Sequence, residues 1–82
     1  MKVLSLQAQL VRYLQKHGLK KQFEKKKILF ENNPFHPGLE TEILEPRHLR
    51  IYSFRITQKY RAIFIYREDG VVEIIDINNH YR

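Results

Sequence analysis

The apolar run Ile74-Ile75-Asp76-Ile77 leads into Asn78-Asn79-His80-Tyr81-Arg82, which places a histidine, a tyrosine and an arginine at the end of a core strand. These side chains can exchange a proton, stack on a base and bind a phosphate. An unperturbed histidine, with a pKa of about 6.5, is the natural acid or base near neutral pH. Tyr81 would stack on a base or cover the end of the core. Arg61 lies between Tyr60 and the apolar run Ala62 to Ile65. Its charge cannot be buried alone, so it must pair with Asp76 or Glu73 on the next strand, or offer its fork to a phosphate. Arg55 precedes the short link that returns to Arg61, so two like charges fall nearly opposite on adjacent strands. That arrangement is destabilising unless an anion binds between them. Glu40, Glu42 and Glu45 form an acidic stretch upstream, and one of them folded over the sheet would complete an acid–base pair with His80. Arg47, His48 and Arg50 follow, to contact substrate phosphates or to balance those carboxylates. Together this is the inventory for cleaving RNA without a metal. A Glu or His deprotonates the ribose 2′-OH, arginines stabilise the phosphorane, and a His protonates the leaving 5′-oxygen.

Composition narrows the setting. The 82 residues make one domain with a small core. No apolar run approaches the roughly 20 residues of a membrane span. The start, Met1 to Leu6, is too short and too soon polar for a signal peptide, so a cytoplasmic location is expected. The absence of cysteine removes disulfides, thiolate catalysis and cysteine zinc sites. His17, His36, His48 and His80 show no helical i, i+4 pair, so neither a metal nor another cofactor is expected. The net charge is +6. Lys2, Arg12, Lys16, Lys20, Lys21, Lys25, Lys26 and Lys27 are opposed up to position 31 only by Glu24 and Glu31, and the remainder balances. A clustered basic surface suits a polyanion, usually nucleic acid, or serves as a solvated lysine face.

The elements that must position these residues follow from periodicity. Lys2–Leu6 reads as a short strand. Leu6, Leu10 and Leu14 at i+4 spacing predict a helix over Gln7–His17, with Gly18 as its left-handed cap. Leu19–Glu31 reads as a second helix, making an antiparallel hairpin, with Lys26 near the packed stripe and forced to snorkel. Asn32 to Gly38, containing two prolines, is the one strong breaker. A short polar edge strand follows over Leu39–Glu45. Ile51–Ile56 and Tyr60–Tyr66 are strands linked at Thr57-Gln58-Lys59, and Glu68-Asp69-Gly70 is a hairpin turn into a last strand over Val71–Asn79. The expected fold is α+β, with two layers: a short N-terminal strand, a helical hairpin, then an antiparallel meander of three to four strands.

This order, the Asn-Pro-Phe-His-Pro break, the segment "YSFRITQKYRAIFIY" and the ending "IIDINNHYR" together resemble the RelE/ParE superfamily of type II toxin–antitoxin toxins. The nearest flavour is the YoeB-like and RelE-like mRNA interferases. The resemblance covers essentially the whole chain, 1–82, as a single RelE-like domain, and is strongest from Leu44 to Arg82. It implies that Arg61 stabilises the scissile phosphate and that His80, paired with Tyr81, is the general acid. By spacing to "FRIT" the general base falls on Glu42, with Glu40 and Glu45 as rivals. Arg55 matches a strand position that contacts RNA, and Arg47, His48, Arg50 and Lys59 would join it. The resemblance further implies a ribosome-dependent endoribonuclease that cuts mRNA and arrests translation. Lys20, Lys21, Lys25, Lys26 and Lys27 would grip ribosomal RNA. The expected partner is a cognate antitoxin, in a hetero-oligomer, whose disordered segment folds onto the toxin. The same superfamily holds ParE-like inhibitors of DNA gyrase, which generally lack the His-Tyr pair and the paired arginines. A non-catalytic RNA-binding homologue is the third possibility.

Overall fold

The computed structural model describes residues 1–79. The chain runs β1 (Lys2–Val3), α1 (Ala8–Lys16), α2 (Lys20–Asn32), a 3-10 turn (Pro37–Leu39), β2 (Glu42–Ile43), a second 3-10 turn (Arg47–Leu49), β3 (Tyr52–Arg55), β4 (Arg61–Glu68) and β5 (Val71–Asn78). The helical hairpin packs on one face of a sheet ordered β1-β5-β4-β3-β2. The fold is therefore α+β and two-layered, as expected.

Local chemistry explains the hairpin. Leu10 and Leu14 bury the inner stripe of α1. Gly18 takes a φ of +65°, Gly18 N–H donates to Gln15 O at 3.2 Å and Leu19 N–H donates to Leu14 O at 2.8 Å. This is a Schellman cap, and it reverses the chain within two residues. In α2, Phe23 and Phe30 are buried. Lys26 lies beside their stripe and extends its Nζ to donate to Gly38 O at 3.2 Å, the snorkelling its position demands.

The sheet contains one strand more than the meander, because the N-terminal strand joins it. β1 pairs in parallel with β5, Lys2 opposite Val71 and Val3 opposite Val72. Its contacts remove an otherwise exposed edge: Lys2 N–H donates to Gly70 O at 2.7 Å and Leu4 N–H to Val72 O at 2.9 Å. On its other side Val3 N–H donates to the Glu31 carboxylate at 2.9 Å, which ties β1 to α2. The predicted edge strand shrinks to Glu42–Ile43 because Pro37–Leu39 form a turn, with Leu39 fully buried.

Four phenylalanines join the layers. The Phe30 ring lies 5.0 Å from both the Phe54 and the Phe64 ring, and Phe23 stacks 6.4 Å from Phe54. All four are essentially unexposed. In β5 the register slips between the pairs Ile63/Asp76 and Phe64/Ile74, leaving Ile75 as a bulge. The extra residue lets Ile74 and Ile77 both face the core while Asp76 points away.

Phe30→Ala is expected to cost about 3–5 kcal/mol, a large share of the roughly 5–15 kcal/mol typical of a domain. A urea titration would show it as a lower midpoint. A loss below about 1 kcal/mol would mean that the two layers do not depend on this ring.

Candidate functional site

The face of the sheet turned away from the helices carries the polar residues. Cross-strand pairs point to the same face. One row there is Glu42, Ser53, Ile63 and Asp76, and the next is Arg55, Arg61 and Asn78. Arg55 and Arg61 are directly opposed, as the short link between their strands requires.

Arg61 is only 3% exposed and Ser53 is fully buried. The Arg61 Nε donates to Ser53 Oγ at 2.9 Å and its Nη2 donates to the backbone carbonyl of Glu40. Two of the guanidinium's donors are thus spent on orientation, one on a hydroxyl and one on a main-chain oxygen. The Glu40 carboxylate pairs with Arg55 Nη2 at 2.9 Å. One residue therefore serves both arginines, with its carbonyl on Arg61 and its side chain on Arg55. That double reach requires the left-handed conformation of Glu40, φ 45° and ψ 49°, an uncommon backbone for a side chain of this kind.

The acidic partners proposed for Arg61 are engaged elsewhere. Asp76 accepts from its neighbour's Ile77 N–H and from Asn78 Nδ2, both at 2.9 Å. Glu73 pairs with Arg67 at 3.4 Å and accepts from Gln7 Nε2. Among the rival carboxylates, Glu40 is held by Arg55, Glu42 shares the face and row of Ser53, and Glu45 is exposed beyond β2. Asn78 sits opposite Arg61, and the chain runs from there toward His80. His80, Tyr81 and Arg82 lie outside the described residues.

Tyr60, before Arg61, is braced by α1. Its hydroxyl lies 3.3 Å from His17 Nδ1, and its ring meets Tyr13 edge-on with centroids 6.2 Å apart. Burial raises the Tyr13 pKa, with smaller contributions from Tyr60 and Asp76.

The remaining basic residues divide. Arg47, His48 and Arg50 are exposed and line a cleft with Ile43 and Tyr52. Ile43 and Tyr52 are register partners, and the Tyr52 ring stacks on Phe64, so this cleft opens toward the helix side, not the face of Arg61. Lys59 is exposed in the β3–β4 link. Of the α2 lysines, Lys20, Lys21 and Lys25 are exposed, whereas Lys26 and Lys27 are half-buried beside the packed stripe. Among the described residues, no three His, Asp or Glu side chains converge as metal ligands would.

Ser53 and the double role of Glu40 escaped the sequence analysis. Once Arg55 is placed opposite Arg61, Ser53 follows two residues back on the same face, and that spacing was the available signal for it. The carbonyl of Glu40 leaves no trace in residue type.

No family model matches the sequence, and no curated protein matches it. The structure is similar to one solved as "YoeB/ParE toxin from Agrobacterium tumefaciens", with a TM-score of 0.73 over 99% of this chain and 100% of that one, at 20% identity. At that identity the likeness is one of fold. It is the fold that the resemblance implied.

Ser53→Ala is expected to destabilise the protein by about 1–3 kcal/mol, because a buried donor of Arg61 loses its acceptor. An unchanged urea midpoint would show that the hydroxyl is dispensable. Alkali probes the ring that meets Tyr52 edge-on: burial, then Tyr52, raises the Tyr66 pKa above 10.0. A raised acid contributes stability below its unfolded pKa and loses it as pH rises through the folded one. Tyr66→Phe is therefore expected to leave stability at neutral pH unchanged and to flatten the decline above pH ~10, read by thermal melts across that range.

Proposed function

We propose that this protein is the toxin of a type II toxin–antitoxin pair, and that it acts as a ribosome-dependent endoribonuclease on mRNA. The observation that carries this reading is the buried guanidinium of Arg61, oriented by Ser53 and Glu40 and opposed by Arg55, on a RelE-like sheet. A preorganised cation of this kind is suited to charge that develops in a transition state, since it needs no reorganisation as that charge appears.

In the proposed reaction Glu42 takes the proton of a ribose 2′-OH. The oxygen attacks the adjacent phosphorus, and Arg61 and Arg55 stabilise the dianionic phosphorane. His80 protonates the 5′-oxygen as its bond to phosphorus breaks. The products are a 2′,3′-cyclic phosphate and a free 5′-hydroxyl, with no metal or cofactor in any step. Tyr81 would stack on a base flanking the cut. Arg55 pairs with Glu40 at a half-exposed site, where such pairs contribute only about 0–1 kcal/mol, so a phosphate can displace the carboxylate. Arg47, His48, Arg50 and Lys59 would guide the RNA strand. Lys20, Lys21 and Lys25 offer an exposed grip on ribosomal RNA, with Lys26 and Lys27 beside them. The expected partner is an antitoxin that masks these surfaces. The proposed place of action is the cytoplasm, and no helix among the described residues is long and apolar enough to cross a membrane.

Inducible expression followed by mapping of mRNA 5′ ends tests this directly. Cuts in phase with codons are expected. Arg61→Ala should reduce cleavage on programmed ribosomes by about 10²–10³-fold, and His80→Ala should reduce it strongly with the fold intact. Intact transcripts together with a DNA-damage response would overturn the reading in favour of gyrase inhibition.

A further inference from the structure

The cleft on the helix side has a composition that the cleavage chemistry does not use. Arg47, His48 and Arg50 lie within four positions around the second 3-10 turn. Among the described residues, none of their side chains makes a hydrogen bond or an ion pair, and Glu45, the nearest acid in sequence, pairs with neither arginine. Arg50 is held at φ 56°, left-handed for a residue with a long side chain. Such a conformation persists only where the surroundings enforce it, and it occurs preferentially at binding sites. The walls are Ile43 and the half-buried Tyr52. The Tyr52 ring is fixed from two sides: it stacks on Phe64 with centroids 5.6 Å apart and 21° between planes, and Tyr66 meets it edge-on at 5.2 Å. The cleft encloses about 410 Å³, within the ~300–1,000 Å³ of small-ligand sites.

We infer that this cleft is a nucleotide subsite for single-stranded RNA, in which Tyr52 and Ile43 take a base and Arg47 and Arg50 take the phosphates beside it. A rigid aromatic wall with cationic groups at its rim is the arrangement that holds unpaired bases independently of sequence. An acidic peptide would satisfy the arginines but would leave the ring without a partner. The site rests on the RNA-cleaving reading and extends it. The strand would cross the short edge strand β2, from Arg61 on one face to Tyr52 on the other. The edge at β2 lies two strand spacings from β4, about 10 Å, so the subsite takes a nucleotide several positions along the strand from the one at Arg61. The cleft would then contribute to affinity and to the placing of the strand, while Arg61 acts on the phosphate.

The test is titration of the isotopically labelled full chain with a short oligouridylate, following backbone amide resonances over a salt series. Shifts in residues 43–52 are expected. They should disappear in Arg47→Gln/Arg50→Asn, where asparagine suits the left-handed position. The slope of log affinity against log salt should fall by about 1.4 for two lost phosphate contacts. In Arg61→Ala the shifts in residues 43–52 should persist. Shifts confined to the Arg55 and Arg61 face would overturn the inference, as would equal shifts in residues 43–52 from a polyglutamate peptide. The two readings fail separately. Oligouridylate seated at Tyr52 without any cut transcript removes the nuclease and keeps the subsite. In-phase cuts with affinity and salt slope unaltered in the double variant remove the subsite and keep the nuclease.

Discussion

Arg61 carries a guanidinium charge, and it is placed where water barely reaches it. The polar side of the sheet is organised around that constraint. A buried guanidinium must be hydrogen-bonded, so the inward position on β3 is a serine and not another apolar residue. It must also meet an oxygen from outside the meander, so the segment before β2 folds back and turns the Glu40 carbonyl inward. That turn brings the Glu40 carboxylate over Arg55 and relieves the repulsion created by the pairing of β3 with β4. The left-handed backbone of Glu40, the buried serine and the ion pair are three consequences of one charge.

The two faces of the sheet divide the work. On the helix side, aromatic rings from α2, β3 and β4 exclude water and join the two layers. On the other side the same strands hold polar side chains at fixed spacing. Strand alternation makes this possible, since Phe54 and Phe64 anchor the backbone from which Ser53, Arg55 and Arg61 project the opposite way. The backbone positions of the arginines are therefore set by strands that the core anchors. The surface lysines of α2 lie on a separate element, free to meet a large anionic surface without disturbing that geometry.

Much of this could be read from residue types. Leu10 and Leu14, Gly18, and the Asp69-Gly70 turn encode local structure, and local structure is set by near neighbours. The opposition of Arg55 and Arg61 followed from the length of one link. What escaped depended on distant or main-chain partners. The parallel docking of β1 pairs residues from the two ends of the described chain and has no periodic signature. The Ile75 bulge is hidden because an isoleucine there resembles its neighbours. Glu40 meets both arginines, its carboxylate on Arg55 and its carbonyl on Arg61, through a conformation that residue type alone disfavours.

The pairing of Lys2 with Val71 also sets an order of assembly. Forming it closes a loop that contains both helices and the other strands, and contacts of such separation are reached slowly. The meander and the helical hairpin can form from neighbours in sequence. β1 cannot, because its strand partner belongs to the end of the described chain and the Glu31 carboxylate that holds its other side belongs to α2. β1 can therefore take its place in the sheet only once β5 is there to receive it.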